Sequence, residues 1–198
     1  MKTLTSLLLT SAVLISASSL SATDTPAALP QPKIAVVDVQ AILDKSTATQ
    51  GVKAEIEKRR AEIQKEMSTY ETELRGKDQE LAKQQKTLPE KEFSQKRQDF
   101  EKRVAEVQMK LEVLKVQLEQ AFDTARQDVY QAFLKSSDKV KQDVGANIVL
   151  YKEQVVLADP SYDVTEKVLA TLNKDLPSVK VKFMATAEIE KQLKSQTK

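Results

Sequence analysis

Hydrophobic positions recur along this chain with two different periods, and the change of period divides it. From about residue 50 to residue 144 apolar side chains return every three or four positions in a background of Lys, Glu, Gln and Ala, which are good helix formers. One column holds Arg60, Met67, Leu74, Leu81 and Leu88; a second holds Ile56, Ile63, Tyr70, Lys77 and Gln84. Further on, the columns are Phe93, Phe100, Val107, Leu114 and Ala121, and Val104, Leu111, Leu118, Ala125 and Ala132. Spacing of seven sustained over such lengths predicts a coiled-coil seam.

Pro89 is the only proline between Pro32 and Pro160. Thr87-Leu88-Pro89-Glu90 has the form of a capping box, with proline near a helix start where its missing donor is not needed. A reversal here makes facing residue numbers sum to about 177 or 178, as an antiparallel seam requires. The columns comply: Ile63 falls opposite Leu114, Met67 opposite Leu111, Tyr70 opposite Val107 and Leu74 opposite Val104. An antiparallel helical hairpin over 50–144 is expected, with its tip near 87–90. Helices over about 52–86 and 90–144 are about 50 and 80 Å long at 1.5 Å per residue. The seam weakens towards the tip, where Lys77 faces Phe100, Gln84 faces Phe93 and Leu81 faces Arg97. Gly76 lies in the same zone and costs about 1 kcal/mol relative to Ala in a helix.

The flanks carry a strand-like pattern. Ile34–Val39 is a short β-branched run that predicts a strand buried on both faces. After Gly145, Ile148–Tyr151 and Val155–Ala158 predict two strands joined by a short loop. Asp163-Val-Thr-Glu166 offers a second capping box before a helix whose stripe is Val168, Leu169 and Leu172, ended by Asn173 and Pro177. Val179–Phe183 alternates as an edge strand does, and the charged remainder to Lys198 predicts a frayed helix. The fold class expected is mainly α with a small β body (α+β). The body comprises 33–49 and 145–174, and 175–198 is an extension with no assigned role.

The N-terminus has the three-part layout of a secretory signal. Lys2 precedes the apolar run Leu4–Ala17, and small residues follow to Ala22. That run is shorter than the roughly 20 residues a bilayer span needs. Residues 1–22 are expected to be a signal peptide cut near Ala22. Residues 23–32, with Pro26, Pro30 and Pro32, are expected to form an extended linker.

Composition narrows the chemistry. The 198 residues include 31 basic and 29 acidic ones, a formal charge of +2, with no Cys and no His. A disulfide framework and a thiol centre are thereby excluded, and the usual general base is missing. Bulk charge argues against a nucleic-acid binder. No glycine-rich phosphate loop is present, and Asp38, with no converging partner, reads as a cap and not a catalyst. No catalytic, cofactor or metal residue is assigned. The tip carries Lys83, Lys86, Lys91, Lys96 and Arg97 against Glu90 and Glu92. Such a basic patch is either a contact for anionic lipid or acidic segments, or a solvated face.

A few short strands and one small helix make a poor core, and small cores need a staple or a partner. Strands with open edges complete one another between copies. A homo-oligomer is therefore expected, sharing a base built from Ile34, Val36, Val37, Ile148, Leu150, Val155 and Leu157. Ile34-Ala-Val-Val-Asp-Val-Gln40, then Ser46, a long charged hairpin, the Val144–Tyr151 region and Tyr162-Asp-Val-Thr-Glu-Lys-Val-Leu169 together resemble the Skp/OmpH family of periplasmic chaperones. The resemblance spans roughly residues 33 to 174. It implies a periplasmic homotrimer whose hairpins project around a cavity and hold unfolded outer-membrane β-barrel proteins without ATP. A structural or adaptor coiled coil of the cell envelope is the competing expectation. Residues 175–198 run past the family's usual ending.

Overall fold

The structure, a computed structural model, describes residues 29–196. The chain divides into Met1–Gln31 and Pro32–Lys198. The expected signal peptide, and the linker as far as residue 28, lie outside the described residues. The second unit contains, in order, β1 (Ile34–Val37), α1 (Val39–Lys45), α2 (Thr47–Gln84), α3 (Glu90–Asp143), β2 (Ile148–Tyr151), α4 (Thr165–Asp175) and α5 (Thr186–Gln196). The fold is mainly helical, a long hairpin on a small two-stranded body.

β1 is shorter than expected because Asp38 leaves the strand to cap α1, its carboxylate accepting from the Ala41 N–H at 2.9 Å. The strand reading therefore missed α1. Ser46 then serves two helices. Its N–H closes α1 on the Ile42 carbonyl, and its hydroxyl accepts from Thr49 N at 3.2 Å to cap α2. One fully buried serine thus makes the bend that launches the hairpin.

α3 keeps close to its expected limits, whereas α2 begins at Thr47, five residues before the expected start, because Ser46 caps it there. Neither expected capping box forms as written. Pro89 precedes α3 with no side-chain cap, and the Thr87 hydroxyl donates back to the Gln84 carbonyl instead. At α4 the Asp163 carboxylate accepts from Thr165 N at 2.9 Å, and Glu166 pairs with Lys45 at 3.8 Å. The end of α3 is a Schellman motif. Gly145, at φ 67°, lets its own N–H reach the Gln142 carbonyl and the Ala146 N–H reach that of Lys141.

β1 and β2 pair in parallel, Val36 opposite Leu150, although the whole hairpin lies between them in sequence. Two expected strands are not strands. After β2 the chain turns through Lys152–Gln154 and runs without regular structure, leaving Val156 and Leu157 95% and 91% exposed. Val179–Phe183 also lacks regular structure. The body core comes mostly from helices: Ala35 and Val37 of β1 pack with Ile42, with Phe133 and Val140 of α3, and with Val164, Val168, Leu169 and Leu172. The last turns of α3 thus belong to the body.

Candidate functional site

The hairpin seam grades from buried at the root to half-buried along the rest of its length. Buried side chains on α2 are Ala48, Val52 and Ile56, and on α3 they begin at Val113 and Leu114 and continue towards the body. Of the predicted seam residues, Leu114 is buried, whereas Ile63, Met67, Tyr70, Leu74, Val104, Val107 and Leu111 are half-buried. Two long helices touching along one stripe leave most of each cylinder to water, so burial is complete only where other elements add cover.

Polar bonds between the helices fix the predicted register. Arg103 grips Glu73 with two hydrogen bonds, Nε to Oε1 at 3.1 Å and Nη2 to Oε2 at 3.0 Å. Lys110 donates to the Tyr70 hydroxyl at 2.8 Å and pairs with Glu66. Lys96 donates to Gln84 Oε1 at 2.8 Å. These pairs keep the predicted residue-number sum to within about three, less than one helical turn. Arg103 stands 5.1 Å from the Tyr70 ring centroid, where the ring's negative face attracts it, and Lys110, bonded to the hydroxyl, stands 5.0 Å from the same centroid. The Arg103 hydrogen bonds, then that of Lys77, hold the Glu73 carboxyl down at about 2. Glu66 and Tyr70 raise the Lys110 ammonium. The heptad columns predicted Tyr70 as core and missed this clamp. Its sequence signal was Glu66 and Glu73 lying opposite Lys110 and Arg103 in the hairpin register.

Beyond the clamp Leu81, Leu88, Phe93 and Phe100 are still half-buried. Lys77, Glu80, Leu81, Gln84, Asp99 and Phe100 are among the residues around a cleft of about 230 Å³. A Cβ on Gly76 would meet nothing within 4 Å, so no packing demands the glycine. At the tip Lys83, Lys86, Lys91, Lys96 and Arg97 are all exposed. Lys96 and Arg97 are engaged, with Gln84 and with Glu101 at 3.0 Å; Lys83, Lys86 and Lys91 take part in none of the described ion pairs.

At the root two clefts follow the same helices. One, of about 530 Å³, is bordered by Ile56, Leu118 and Phe122 together with charged side chains. The other, of about 230 Å³, lies among Leu43, Val52, Phe122 and Val129. The tail after α4 takes a different place. Val181 is buried with Val52, Ile56, Ala121 and Ala125, and Val179 and Phe183 pack against the same cluster. Ile189 of α5 is fully buried. The buried Gln117 donates through Nε2 to the Met184 carbonyl and accepts from Arg59 at 3.4 Å, while Arg59 stands 5.9 Å from the Phe183 centroid. Among the described residues of this tail, Val181 and Ile189 are the buried ones.

The body presents its own apolar surface. Ile34, Val144, Ile148, Tyr151 and Tyr162 are each 38–46% exposed. Among the described residues β2 pairs only with β1. Of the expected shared-base residues, Val36 and Val37 are buried within the protomer, Leu150 and Val155 are half-buried, and Ile34, Ile148 and Leu157 are exposed. Burial pushes the Asp163 carboxyl up, but hydrogen bonds from Lys152, at 2.8 Å, and from Thr165 outweigh it and leave the group at about 2. Among the described residues no group of three acidic side chains could hold a metal ion, and no helix is long and apolar enough to cross a membrane.

A helical hairpin inserted between two parallel strands defines an arm-and-base protein. The model of the family described as outer membrane protein (OmpH-like) matches residues 33–172, most of the chain. The chain belongs to that family. Its fold is similar to that of an OmpH-like chain from Caulobacter crescentus CB15, described as a candidate outer membrane chaperone, with TM-score 0.73 and 19% identity over 80% of this chain and 94% of that one. No curated protein sequence matches. The tail from Asn173 onward lies beyond the family match.

Proposed function

We propose that this protein is an ATP-independent holding chaperone of the periplasm, which binds unfolded outer-membrane β-barrel proteins and keeps them from aggregating in transit. The observation that carries the reading is the hairpin's gradient of packing. A root covered by other elements gives way to a seam whose side chains stay half-buried as far as the tip. Such an arm offers many weak contacts and no single tight pocket, which suits clients that alternate apolar and polar residues and share no sequence. Arms tethered at a common base add those contacts through effective concentration.

The common base is a homotrimer formed at the exposed apolar side of the body, around Ile34, Ile148 and Leu157. The unengaged Lys83, Lys86 and Lys91 at the tip are the contacts for anionic lipid headgroups. Binding and release are passive, with insertion into the membrane drawing the client away, and no residue is assigned a chemical step.

The test is suppression of light scattering when several unrelated urea-unfolded barrel proteins are diluted into the mature protein at stoichiometric amounts without ATP. All should stay soluble. Binding to one folded partner only would instead identify an envelope adaptor.

A further inference from the structure

We propose that the root face of the hairpin around Ile56, Gln117 and Ala121 is a binding face for unfolded segments of alternating apolar and polar side chains, and that the chain's own Val179–Phe183 occupies it as an internal competitor. The inference rests on the holding function above and adds its regulation.

The occupant shows what the face accepts. In Val179-Lys-Val-Lys-Phe183 the apolar residues lie against the hairpin while Lys180 and Lys182 are exposed. That alternation is the pattern of a membrane barrel strand outside its barrel. Although it alternates as a strand does, the segment belongs to neither strand of the sheet. The bond described between its end and the hairpin is the one from the Gln117 amide to the Met184 carbonyl. The face therefore reads side-chain alternation, with no described backbone bond to Val179–Phe183, as a holder of varied sequences must.

The occupant is also built to leave. Few side chains of the tail are buried, and segments with few buried contacts and solvent-facing backbone open first. Beside it α5 meets the hairpin through an exposed contact, Gln120 donating to Gln192 at 3.1 Å. Two residues separate α4 from Ser178, so the competitor is always at high local concentration. A client must exceed it in affinity, and the tail returns when the client goes.

The test uses the full mature chain, which contains no Cys. Gln120→Cys with Gln192→Cys is bridged by a bismaleimide with a reducible spacer, and binding of a labelled, urea-unfolded barrel protein is followed by anisotropy. Bridging should weaken binding about five-fold, the scale expected for pinning a tethered competitor, and reduction should restore it. Val181→Asp, with helicity and assembly mass unchanged, should tighten binding by a similar factor. Unchanged binding in both forms overturns the competitor while leaving the holding function standing. Weaker binding with lost helicity in Val181→Asp, and no effect of the bridge, makes the tail a brace only and also overturns it. If no form binds a client, including the unmodified protein, the holding function fails and the competitor with it.

Discussion

Glu73 and Arg103 join the two hairpin helices through a forked pair of hydrogen bonds, 3.1 and 3.0 Å long, and Lys77 adds a third contact to the same carboxylate at 2.8 Å. Bidentate geometry fixes orientation as well as proximity. The pair stands in the half-buried stretch of the seam, well above the buried root, and pins the helices together there.

Its pH dependence has a definite sign. The folded carboxyl is held at about 2, against an ordinary value of 4.5. The contribution is therefore fully present above 4.5 and is lost as pH falls towards 2. Glu73→Gln should lower the thermal midpoint of the hairpin at pH 6 and make little difference near pH 2, as followed by circular dichroism. An equal effect at both pH values would show that the charge is irrelevant. Since both groups are partly exposed, salt should shrink the difference.

Seam positions should differ in cost with height. Leu114→Ala removes a buried side chain and should destabilise by about 2–4 kcal/mol, whereas Leu81→Ala, beside the distal cleft, should cost under about 1 kcal/mol. Urea unfolding of the two variants checks the order. Equal losses would contradict the gradient of packing.

Gly145→Ala should destabilise by about 1 kcal/mol, because a Cβ disfavours the left-handed backbone that ends α3. A Cβ there meets nothing within 4 Å, so the loss comes from conformation and not from a clash. Gly76→Ala, with the same open surroundings, should have the opposite sign and stabilise the distal helix. Two variants of one substitution type with opposite shifts in midpoint are the expected result.

Leu157→Asp tests the shared base. The side chain is 91% exposed in the protomer, so helicity should be retained while the mass by light scattering drops towards that of one chain. A fully assembled variant would remove this loop from the interface.

Charge reversal at Lys86, Lys91 and Lys96 should reduce sedimentation with anionic vesicles while leaving assembly mass unchanged. Lys96 is already engaged with Gln84, so Lys86 and Lys91 should account for most of the loss.

The hairpin was legible because its information is local and periodic: heptad columns, one proline and a constant residue-number sum placed both helices and their register. The body was only partly legible. Ile34–Val37 and Ile148–Tyr151 were recognisable as strands, but their pairing with each other depends on a contact the whole hairpin separates. Val155–Ala158 carries strand propensity and finds no strand beside it within one protomer, and propensity without a neighbour does not make a strand. Val179–Phe183 alternates correctly and packs on helices instead. The α1 helix was missed because a cap at Asp38, and not apolar spacing, decides where β1 stops. The Tyr70 clamp was missed because residues counted as seam were judged by hydrophobicity alone.

The parallel pairing of Val36 with Leu150 brings the two feet of the hairpin together at the base. The arm's span is then decoupled from everything that anchors it. Excising one heptad from each helix at matched heights shortens the reach by about 10 Å and keeps the remaining columns in phase. Related chains can therefore differ in arm length while inheriting an unaltered foundation.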